Sequence, residues 1–401
     1  MTTHTDHLST AAGSAAGSGE SAADPRAARE RLWDAVREGD EYAASEPVFA
    51  ALDAGVDPET VLLDVIAPVQ RKVGAEWAAD RITVAQEHAA TAINDRIIAA
   101  LAHRVRGGER PGAGAGRVTV ACVDGEWHAL PARLLAEVLA LRGWQVDFLG
   151  AQVPVPHLIA HLHRTGPCAV ALSSSIATRL PTAHAAITAC QAAGTPVLAG
   201  GAAFGPDGRY AYLLGADAWA PDARAAADRL GEGVLPPPGL WSARHPVDDL
   251  PHLAGQEYTM VSRAAPRLVG ETMAGLEERF PAMRDYTERQ RLHTAEDIAH
   301  IVDFLSTALY VDDEELFTGF LLWTAQILTA RKVPAHSLRP ALDLLAGRLK
   351  DFPRATRLLE RARLALDAGP ASDTSAPDTS APDTSAPDTT APDTTGHGKP
   401  E

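Results

Sequence analysis

The sequence predicts a multidomain protein that combines the α/β and all-α classes: a helical bundle, a doubly wound parallel α/β domain and a second helical domain. Three observations favour this fold class. The chain has 401 residues and is 46% hydrophobic, which is enough to bury two or three cores. Two breaks rich in Pro and Gly, at 107–116 and 235–251, divide the chain into three blocks. Each block has its own hydrophobic periodicity.

The two ends of the chain are predicted to be disordered. Residues 1–24 are small and polar, and residues 371–395 repeat SAPDT and TAPDT with a period of five. Such segments have too few apolar residues to offset the conformational entropy lost on folding. We therefore assign 1–24 and 370–401 as disordered and 235–251 as a linker.

The first block, 25–106, predicts a bundle of four helices. The third helix is expected to begin at DPET, where Asp57 can act as the N-cap and Pro58 takes the first helical position. The stretch DRITVAQEHAATAINDRI, at 80–97, has the pattern of an amphipathic helix and carries Glu87 and His88 side by side. Neighbouring polar residues of this kind usually lie at a helix edge and contact water.

The second block, 117–234, alternates strand-like and helical segments. The strand-like runs are RVTVACV, QVDFLG, AVALSSS, PVLAGG and AWAPD. Segments rich in Ala and Leu, such as ALPARLLAEVLALRG, separate them. This alternation is typical of a Rossmann-like (flavodoxin-like) fold with a parallel sheet.

The third block, 252–369, has no strand signal. We expect about six or seven helices here, one of which starts at the capping-box-like TAED of Thr294 to Asp297. Another covers the apolar stretch DDEELFTGFLLWTAQILTARKV. Helices in this number suit a globin-like fold.

The charge and the cysteine content argue against several classes of protein. The formal net charge is -16 and Lys and Arg form no run, so we expect no nucleic-acid binding. The sequence has no long apolar stretch and no signal-peptide pattern, so we expect no membrane association. Cys122, Cys168 and Cys190 are widely spaced and fall in predicted strands or helices, as expected for core residues in a reducing compartment. These features predict a cytoplasmic protein.

A candidate site follows the first strand of the second block. The stretch DGEWHALPARLL places Glu126 and His128 in the loop at the carboxyl end of that strand, where parallel sheets bind ligands. A phosphate-binding GxGxxG is absent, and the GAGAG at 112–116 precedes the strand. A carboxylate beside an imidazole suits a metal ligand, because it fixes the tautomer and raises the basicity. The alternative is a loop histidine that is only solvated.

The spacing of this block resembles that of the cobalamin-binding Rossmann domains. Their pattern is an Asp-x-His-x-x-Gly loop, then about 41 residues, then Ser-x-Leu and a Gly-Gly pair. The residues at these positions are, in order, Glu126, His128, Pro131, Ser173, Ser175, Gly200 and Gly201. The departures are Glu for Asp, Pro for Gly and Ser for Leu.

The resemblance implies a role for most of these residues. His128 would be the lower axial ligand of cobalt and would displace the dimethylbenzimidazole tail of the cofactor. Ser173, Ser175 and the glycine pair would line the channel for this tail, where any Cβ would collide with it. Trp127 and Thr178, which lie in the same two loops, are also expected to bind cobalamin.

The first two blocks together resemble the cobalamin-dependent light-sensing repressors, in which a helical bundle covers the upper face of the corrin. Trp77, Glu87 and His88 match that family's pattern of a Trp, nine residues and a Glu-His pair. The resemblance implies that the indole shapes the cavity for the 5'-deoxyadenosyl group and that the Glu-His pair bonds its ribose and adenine. This cap would favour adenosylcobalamin over methylcobalamin. The alternative for Trp77 is a plain core residue.

Three properties of related proteins are not expected here. The repressors begin with a DNA-binding helical domain, whereas only residues 1–24 precede the first helix of this sequence, so we expect a different output. In the repressors a His beside the Trp can capture cobalt after photolysis, but Ala78 takes that position. Cobalamin mutases need a substrate-binding barrel of ~250 residues, which does not fit in the remaining sequence.

The third block, fused to such a light sensor, resembles its counterpart in the photocobilins, which join cobalamin and bilin photochemistry. No cysteine follows Cys190, so a bilin such as biliverdin would bind without a covalent bond. The candidate contacts are His293, Asp297 and His300 on one helix face, Phe320 and Trp323 for stacking, and Arg331 and Arg339 for the propionates. The alternatives are a solvated polar face with core aromatics, haem bound by His300 or His336, and a dimerisation domain.

These features predict a photoreceptor rather than an enzyme. Light would break the cobalt-carbon bond of adenosylcobalamin and change the conformation or the state of a homo-oligomer that signals to an unidentified protein. One alternative is a corrinoid methyl carrier for a methyltransferase, which also pairs a four-helix cap with a His-ligated Rossmann domain. The cap of Trp77, Glu87 and His88 disfavours this alternative, because methyl transfer needs an open upper face. The other is a cobalamin-binding regulator without photochemistry.

Overall fold

The computed structural model describes residues 24–106, 116–233, 235 and 250–368. Except for Asp24, the segments predicted to be disordered, 1–24 and 370–401, lie outside the described residues, as does most of the predicted linker. We refer to residues 24–106 as the bundle, to 116–235 as the sheet unit and to 250–368 as the C-terminal unit.

The bundle has four helices. They are α1 (Pro25–Glu38), α2 (Glu41–Asp53), α3 (assembled from Pro58–Thr60, Val61–Ile66 and Ala67–Ala78) and α4 (Val84–Arg106). Asp24, Asp40 and Asp57 cap the first three helices, because each side chain accepts a hydrogen bond from a backbone N–H of the first turn. The helix start predicted at Asp57 is confirmed, since its Oδ2 accepts from the N–H of Thr60 at 3.1 Å.

A π-helical turn, Val61–Ile66, interrupts α3. Pro68 follows this turn, and a proline inside a regular α-helix lacks an N–H and collides with the carbonyl four residues earlier. In the π turn the N–H of Ala67 bonds the carbonyl of Leu62, which makes a wider ring ahead of the proline. We attribute the turn to Pro68. The helix then continues to its last turn, which carries Trp77.

The sheet unit is built on five parallel strands. In chain order they are β1 (Arg117–Cys122), β2 (Gln145–Gly150), β3 (Ala169–Ser173), β4 (Val197–Gly200) and β5 (Ala218–Ala220). Their spatial order is β2-β1-β3-β4-β5, and every neighbouring pair is parallel. All five lie within the runs that the sequence predicts as strands. The predicted Rossmann-like (flavodoxin-like) fold is therefore confirmed.

Helices alternate with these strands and pack on both faces of the sheet. They are α5 (Ala129–Leu141), α6 (Val155–Thr165), α7 (Leu180–Ala192), α8 (Arg209–Leu213) and α9 (Ala223–Gly231), with 3-10 turns at Ala177–Arg179 and Ala202–Phe204. All residues of β3 are buried, as expected for the central strand of a doubly wound sheet. Cys122 and Cys190 are buried as predicted, whereas Cys168 is only half-buried, in the turn before β3.

The C-terminal unit is helical throughout its described residues. Its helices are α10 (Glu257–Arg279), α11 (Glu288–Val311), α12 (Glu314–Ala330), α13 (Arg339–Arg348) and α14 (Pro353–Ala368), with 3-10 turns at Pro251–Gly255, Pro281–Asp285 and Ala335–Leu338. The described residues of this unit thus form five α-helices and three short 3-10 turns, where six or seven helices were expected. The globin-like class stays a prediction. Across the described ranges of the chain, we find no helix with the length and apolar character to span a bilayer.

The helix start predicted at Thr294 is wrong. α11 begins at Glu288, because the preceding Thr287 forms a capping box with Gln290. The N–H of Gln290 donates to Thr287 Oγ1 at 3.2 Å, and the N–H of Thr287 donates to Gln290 Oε1 at 2.9 Å. Thr294 lies inside the helix, where its hydroxyl donates to the carbonyl of Gln290 at 2.9 Å.

Ion pairs join the bundle to the sheet unit. Arg142, at the end of α5, donates to both carboxylate oxygens of Glu59 at 2.9 and 2.8 Å and pairs with Asp228 of α9 at 2.5 Å. Arg224 of α9 pairs with Asp64 at 2.8 Å and with Glu59 at 3.4 Å. The hydrogen bond from Arg142 holds the pKa of Glu59 below its usual value. The network therefore holds the first half of α3 against α5 and α9.

A buried polar contact joins the C-terminal unit to the sheet unit. His184 of α7 is fully enclosed, and its Nδ1 lies 2.8 Å from the hydroxyl of Tyr310 in α11. Tyr310 also packs edge-on against Tyr258 of α10, with the ring centres 4.7 Å apart. Because a buried polar group is costly to leave without a partner, this pair fixes the position of α11 on α7.

Candidate functional site

The candidate site lies where the neighbouring strands β1 and β3 end. The sheet order reverses between them, with β2 on one side and β4 and β5 on the other. At such a switch point the loops after the two strands diverge and leave a crevice for a ligand. The loop after β1 carries Glu126, Trp127 and His128, and residues 174–178 follow β3. Glu126 and His128 therefore lie at the ligand-binding edge of the sheet, as predicted.

Glu126 is fully buried and ties the two loops together. Its Oε1 lies 2.6 Å from His128 Nδ1 and accepts the backbone N–H of His128 at 2.9 Å. Its Oε2 accepts the N–H groups of Ser175 and Ile176, at 2.7 and 3.1 Å, and the hydroxyl of Ser174 at 3.2 Å. The orientation of the His128 ring thus depends on the loop after β3 as well as on its own loop.

The hydrogen bonds keep Glu126 ionised. Burial raises the pKa of this carboxyl, but the hydrogen bonds and charge of His128, together with the backbone donor of Ser175, outweigh burial and lower the pKa to about 2. A carboxylate beside Nδ1 holds a proton on that nitrogen, which makes Nε2 the ring nitrogen suited to a metal ion. The same carboxylate raises the basicity of the imidazole.

This donor arrangement fits the cobalt of a cobalamin. The His128 side chain is 24% exposed, and Trp127 beside it is 58% exposed, so both are accessible at the surface of the protein. α5 begins directly after His128 without a hydrogen bond from its side chain, so the imidazole has no capping role. Pro131, the departure from the glycine of the family pattern, lies in the first turn of α5, where a backbone N–H is not required.

The other predicted residues of this edge surround the end of β3. Ser173 is the last residue of the strand, and it and Ser175 are buried. Thr178 is half-buried in the 3-10 turn that follows. Sequence reasoning missed Ser174, whose hydroxyl contacts Glu126, because the run of three serines gives no local signal of which one faces the carboxylate.

Gly201 is required by the protein backbone itself. Its φ is +99°, and a Cβ at this position would lie 2.3 Å from the carbonyl oxygen of Ser174. A Cβ at Gly200 would lie 3.4 Å from the carbonyl oxygen of Ala220, which is ordinary van der Waals contact. The sequence predicted that a Cβ at either glycine would collide with the cofactor tail. That collision stays a prediction, and at Gly201 a Cβ would in addition collide with the loop after β3.

Replacing Gly201 with alanine should therefore destabilise the apoprotein. We expect the free energy of unfolding to fall by about 2–4 kcal/mol, because the new Cβ overpacks the loop and the positive φ is strained for alanine. Urea denaturation followed by circular dichroism measures the loss. Gly200→Ala is the matched control, with an expected loss of about 1 kcal/mol or less. Equal losses for the two variants would contradict the assigned role of Gly201.

The residues predicted to cap the upper face lie at the end of α3 and the start of α4. Trp77 is buried, whereas the side chains of Glu87 and His88 are 27% and 54% exposed. His88 Nδ1 lies 2.6 Å from Glu87 Oε2, so the bundle has a second Glu-His pair with the same distance from Nδ1 to the carboxylate oxygen as Glu126 and His128.

A chain of hydrogen bonds fixes Glu87 to α3. The hydroxyl of Thr91 donates to Glu87 Oε1 at 3.0 Å, and Gln70 of α3 donates to that hydroxyl oxygen at 2.7 Å. The fully buried Asn94 donates to Gln70 Oε1 at 2.8 Å. Sequence reasoning missed this chain of hydrogen bonds, which we call the ladder. Its signal was the placement of Glu87, Thr91 and Asn94 at i, i+4 and i+7, which brings them to one face of α4.

The polar residues predicted to contact a bilin share one face of α11. His293 Nδ1 lies 3.1 Å from Glu296 Oε2, and His300 is half-buried. Burial raises the pKa of Asp297, although part of the surface of this residue is exposed.

The remaining residues of the predicted bilin site make contacts within the protein or are exposed. Phe320 and Trp323 are buried in the core of the C-terminal unit, which was the alternative to stacking on a chromophore. Arg331 lies over the ring of Trp77, and Arg339 pairs with Asp367 at 3.0 Å. His336, one candidate for haem, is exposed. Binding of a bilin or of haem by this unit stays a prediction.

Comparisons with known proteins bear on the bundle and the sheet unit. Residues 28–102 match one family model described as a B12 binding domain, and residues 116–230 match a second model with the same description. The chain therefore carries two B12 binding domains, which supports a corrinoid cofactor. Neither match extends into the C-terminal unit.

One relative is the HTH-type transcriptional repressor CarA of Myxococcus xanthus. It is 32% identical over 181 residues, which are 43% of this chain. The chain spans 57% of the length of that relative. The similarity thus concerns part of each protein.

Solved structures of corrinoid proteins are similar over about half of the chain. The monomethylamine corrinoid protein of Methanosarcina barkeri is 20% identical with a TM-score of 0.46, over 52% of this chain and 99% of that protein. A cobalamin-binding protein of Desulfitobacterium hafniense DCB-2 is 19% identical with a TM-score of 0.30, over 52% of this chain and 98% of that protein.

Proposed function

We propose that this protein is a light sensor that binds adenosylcobalamin between the bundle and the sheet unit. The observation that carries the proposal is the imidazole of His128, held by the buried and ionised Glu126 at the switch point of the sheet. The match of both units to B12 binding domains supports it. The relative that is a transcriptional repressor supports a regulatory role rather than an enzymatic one.

On the lower side of the corrin, His128 would ligate cobalt through Nε2. Glu126 would keep the ring in one orientation, because it also bonds the backbone N–H of His128 and the loop after β3. Ser173, Ser175 and Thr178 would bind the displaced tail of the cofactor in the crevice beside that loop.

On the upper side, Trp77 would contact the adenosyl group with its indole ring. Glu87 would accept hydrogen bonds from ribose hydroxyls, and His88 would bond the adenine or the ribose. The ladder through Thr91 and Gln70 would hold these groups in place before the cofactor binds. Methylcobalamin lacks the adenosyl group that these side chains would contact, so the cap would favour the adenosyl form.

When bound, adenosylcobalamin supplies a cobalt-carbon bond that light breaks. Trp77, Glu87 and His88 then lose the group that they contact. Because these residues belong to α3 and α4, the loss would change how the bundle packs on the sheet unit. This change would be the signal, and the C-terminal unit, which contacts both, is the part of the described chain placed to respond to it.

Hydrogen exchange of the loaded full-length chain tests this proposal. The chain is loaded with adenosylcobalamin in the dark, half of the sample is illuminated, and peptides covering 77–94 are compared by mass spectrometry. We expect faster exchange in these peptides after illumination. An absorption spectrum alone does not show that the protein responds to light, because free adenosylcobalamin is also photolysed. Hydroxocobalamin, which has no cobalt-carbon bond, is the control and should show no effect of light.

The same experiment, combined with titrations that give the Kd for adenosylcobalamin and for methylcobalamin, separates the alternatives. A chain that binds methylcobalamin as tightly as adenosylcobalamin, with exchange at 77–94 that does not respond to light, would be better described as a methyl carrier. A preference for adenosylcobalamin without any effect of light would indicate a regulator that lacks photochemistry. Either outcome would overturn the proposed light sensor.

A further inference from the structure

Arg331 joins the C-terminal unit to Trp77. Its guanidinium carbon lies 5.0 Å from the centre of the indole ring, within the range in which a cation is attracted to an aromatic face. Its Nε lies 3.9 Å from Asp80 Oδ1, in the turn that follows α3. One residue of the C-terminal unit thus contacts both the proposed cap of the adenosyl group and the turn next to it.

The opposite end of α12 is attached to the sheet unit. Asp313, the N-cap residue of α12, accepts the hydroxyl of Tyr210 at 2.8 Å and pairs with Arg209 at 3.3 Å. Glu315 in the first turn pairs with Arg209 at 3.0 Å. Burial and the contact with Asp313 raise the pKa of Tyr210, so its hydroxyl stays a donor at neutral pH.

α12 therefore spans the distance from the sheet unit to the bundle. The helix has 17 residues and, at 1.5 Å per residue, a length of about 25 Å. Phe317 and Leu321 are fully buried along it, so packing keeps the helix in place. Arg331 follows the last residue, where the negative end of the helix dipole favours a cation.

We propose that α12 is a strut between the sheet unit and the bundle, and that Arg331 is a positioning residue for Trp77. By holding the indole, Arg331 increases the preference of the upper site for the adenosyl group and couples this site to the C-terminal unit. The inference rests on the proposed function, because it takes Trp77 as a contact of that group. Coupling between sites is reciprocal, so adenosylcobalamin should in turn strengthen the contact between Arg331 and the bundle.

Binding selectivity of the full-length chain in the dark tests the strut. The quantity measured is the ratio of the Kd for methylcobalamin to the Kd for adenosylcobalamin, from absorption titrations. Arg331→Ala should lower this ratio roughly two- to fivefold, the effect of losing a partly exposed cation-π contact. Arg331→Lys keeps a cation and should recover part of the loss. Arg348→Ala, which removes an ion pair with Glu271 within the C-terminal unit, is the matched control and should leave the ratio unchanged.

A second measurement is hydrogen exchange, which tests the contact of Arg331 both without and with the cofactor. In the apoprotein, Arg331→Ala should speed hydrogen exchange in peptides covering 75–84, which contain Trp77 and Asp80, and Arg348→Ala should not. In the wild type, adenosylcobalamin should slow exchange in peptides covering 325–333 at the end of α12. Arg331→Ala should abolish this effect if the contact transmits occupancy of the upper site.

The outcomes distinguish this inference from the proposed function. Trp77→Ala should lower the selectivity ratio more than Arg331→Ala does. If Trp77→Ala lowers the ratio but Arg331→Ala does not, the strut is wrong and the proposed function stands. If Trp77→Ala leaves the ratio unchanged, the proposed adenosyl cap is wrong. In that case, faster exchange at 75–84 in Arg331→Ala would show that Arg331 only stabilises the local structure. Its proposed role in selectivity would then also be wrong.

Discussion

Replacing His128 with alanine is expected to shift the absorption spectrum of bound adenosylcobalamin to the form without an imidazole from the protein on cobalt. Loss of partners that only orient a metal ligand typically weakens metal binding ten- to a hundredfold, so we expect loss of the ligand itself to weaken cofactor binding by at least roughly tenfold. The fold should persist, because the His128 side chain does not cap α5. Absorption titration in the dark measures both effects.

His88→Ala is the matched control for His128→Ala. Both histidines have Nδ1 at 2.6 Å from a neighbouring glutamate, but only His128 is proposed to bind cobalt. His88→Ala should leave the imidazole-bound spectrum intact and reduce affinity for adenosylcobalamin alone. The melting temperature of each apoprotein identifies any general loss of stability. An unchanged spectrum in His128→Ala would remove this residue as the lower ligand.

Replacing Glu126 with glutamine is expected to lower the free energy of unfolding of the apoprotein by about 2–4 kcal/mol, since several hydrogen bonds to a buried charged group are lost or misdirected. An amide has one acceptor oxygen, and its NH2 group would face donors. The carboxylate oxygens now accept from the backbone N–H groups of His128, Ser175 and Ile176 and from the hydroxyl of Ser174. Urea denaturation measures the loss.

Glu87→Gln provides the comparison for Glu126→Gln. Glu87 also lies beside a histidine, but its side chain is 27% exposed, so water can replace lost hydrogen bonds. We expect the free energy of unfolding of the Glu87→Gln variant to be lower than that of the wild type by about 1 kcal/mol or less. Glu126→Gln should also shift the spectrum of the bound cofactor, since the His128 ring loses its orienting partner. Similar stabilities for the two variants would show that the Glu126 network does not hold the two loops together.

Much of the fold follows from residues close together in the chain. Strand runs such as RVTVACV predicted β1, because buried parallel strands need short apolar stretches rich in β-branched residues. Asp57 and Pro58 predicted the start of α3 through a capping hydrogen bond that spans three residues. The start of α11 was wrong at Thr294 because two similar capping patterns lie seven residues apart, and the one at Thr287 forms both reciprocal bonds.

By itself, then, the sequence determined the strands, the start of α3 and the placement of Glu126 and His128 after β1. Tertiary structure decided that Ser174 and the N–H groups after it complete the Glu126 site, that Gly201 is needed against the loop after β3, and that Arg331 lies on Trp77. The physical reason is the separation along the chain over which each interaction acts. Backbone propensities, caps and the spacing of neighbours act within a few residues. Contacts between distant segments depend on how whole helices and strands pack, which no local pattern encodes.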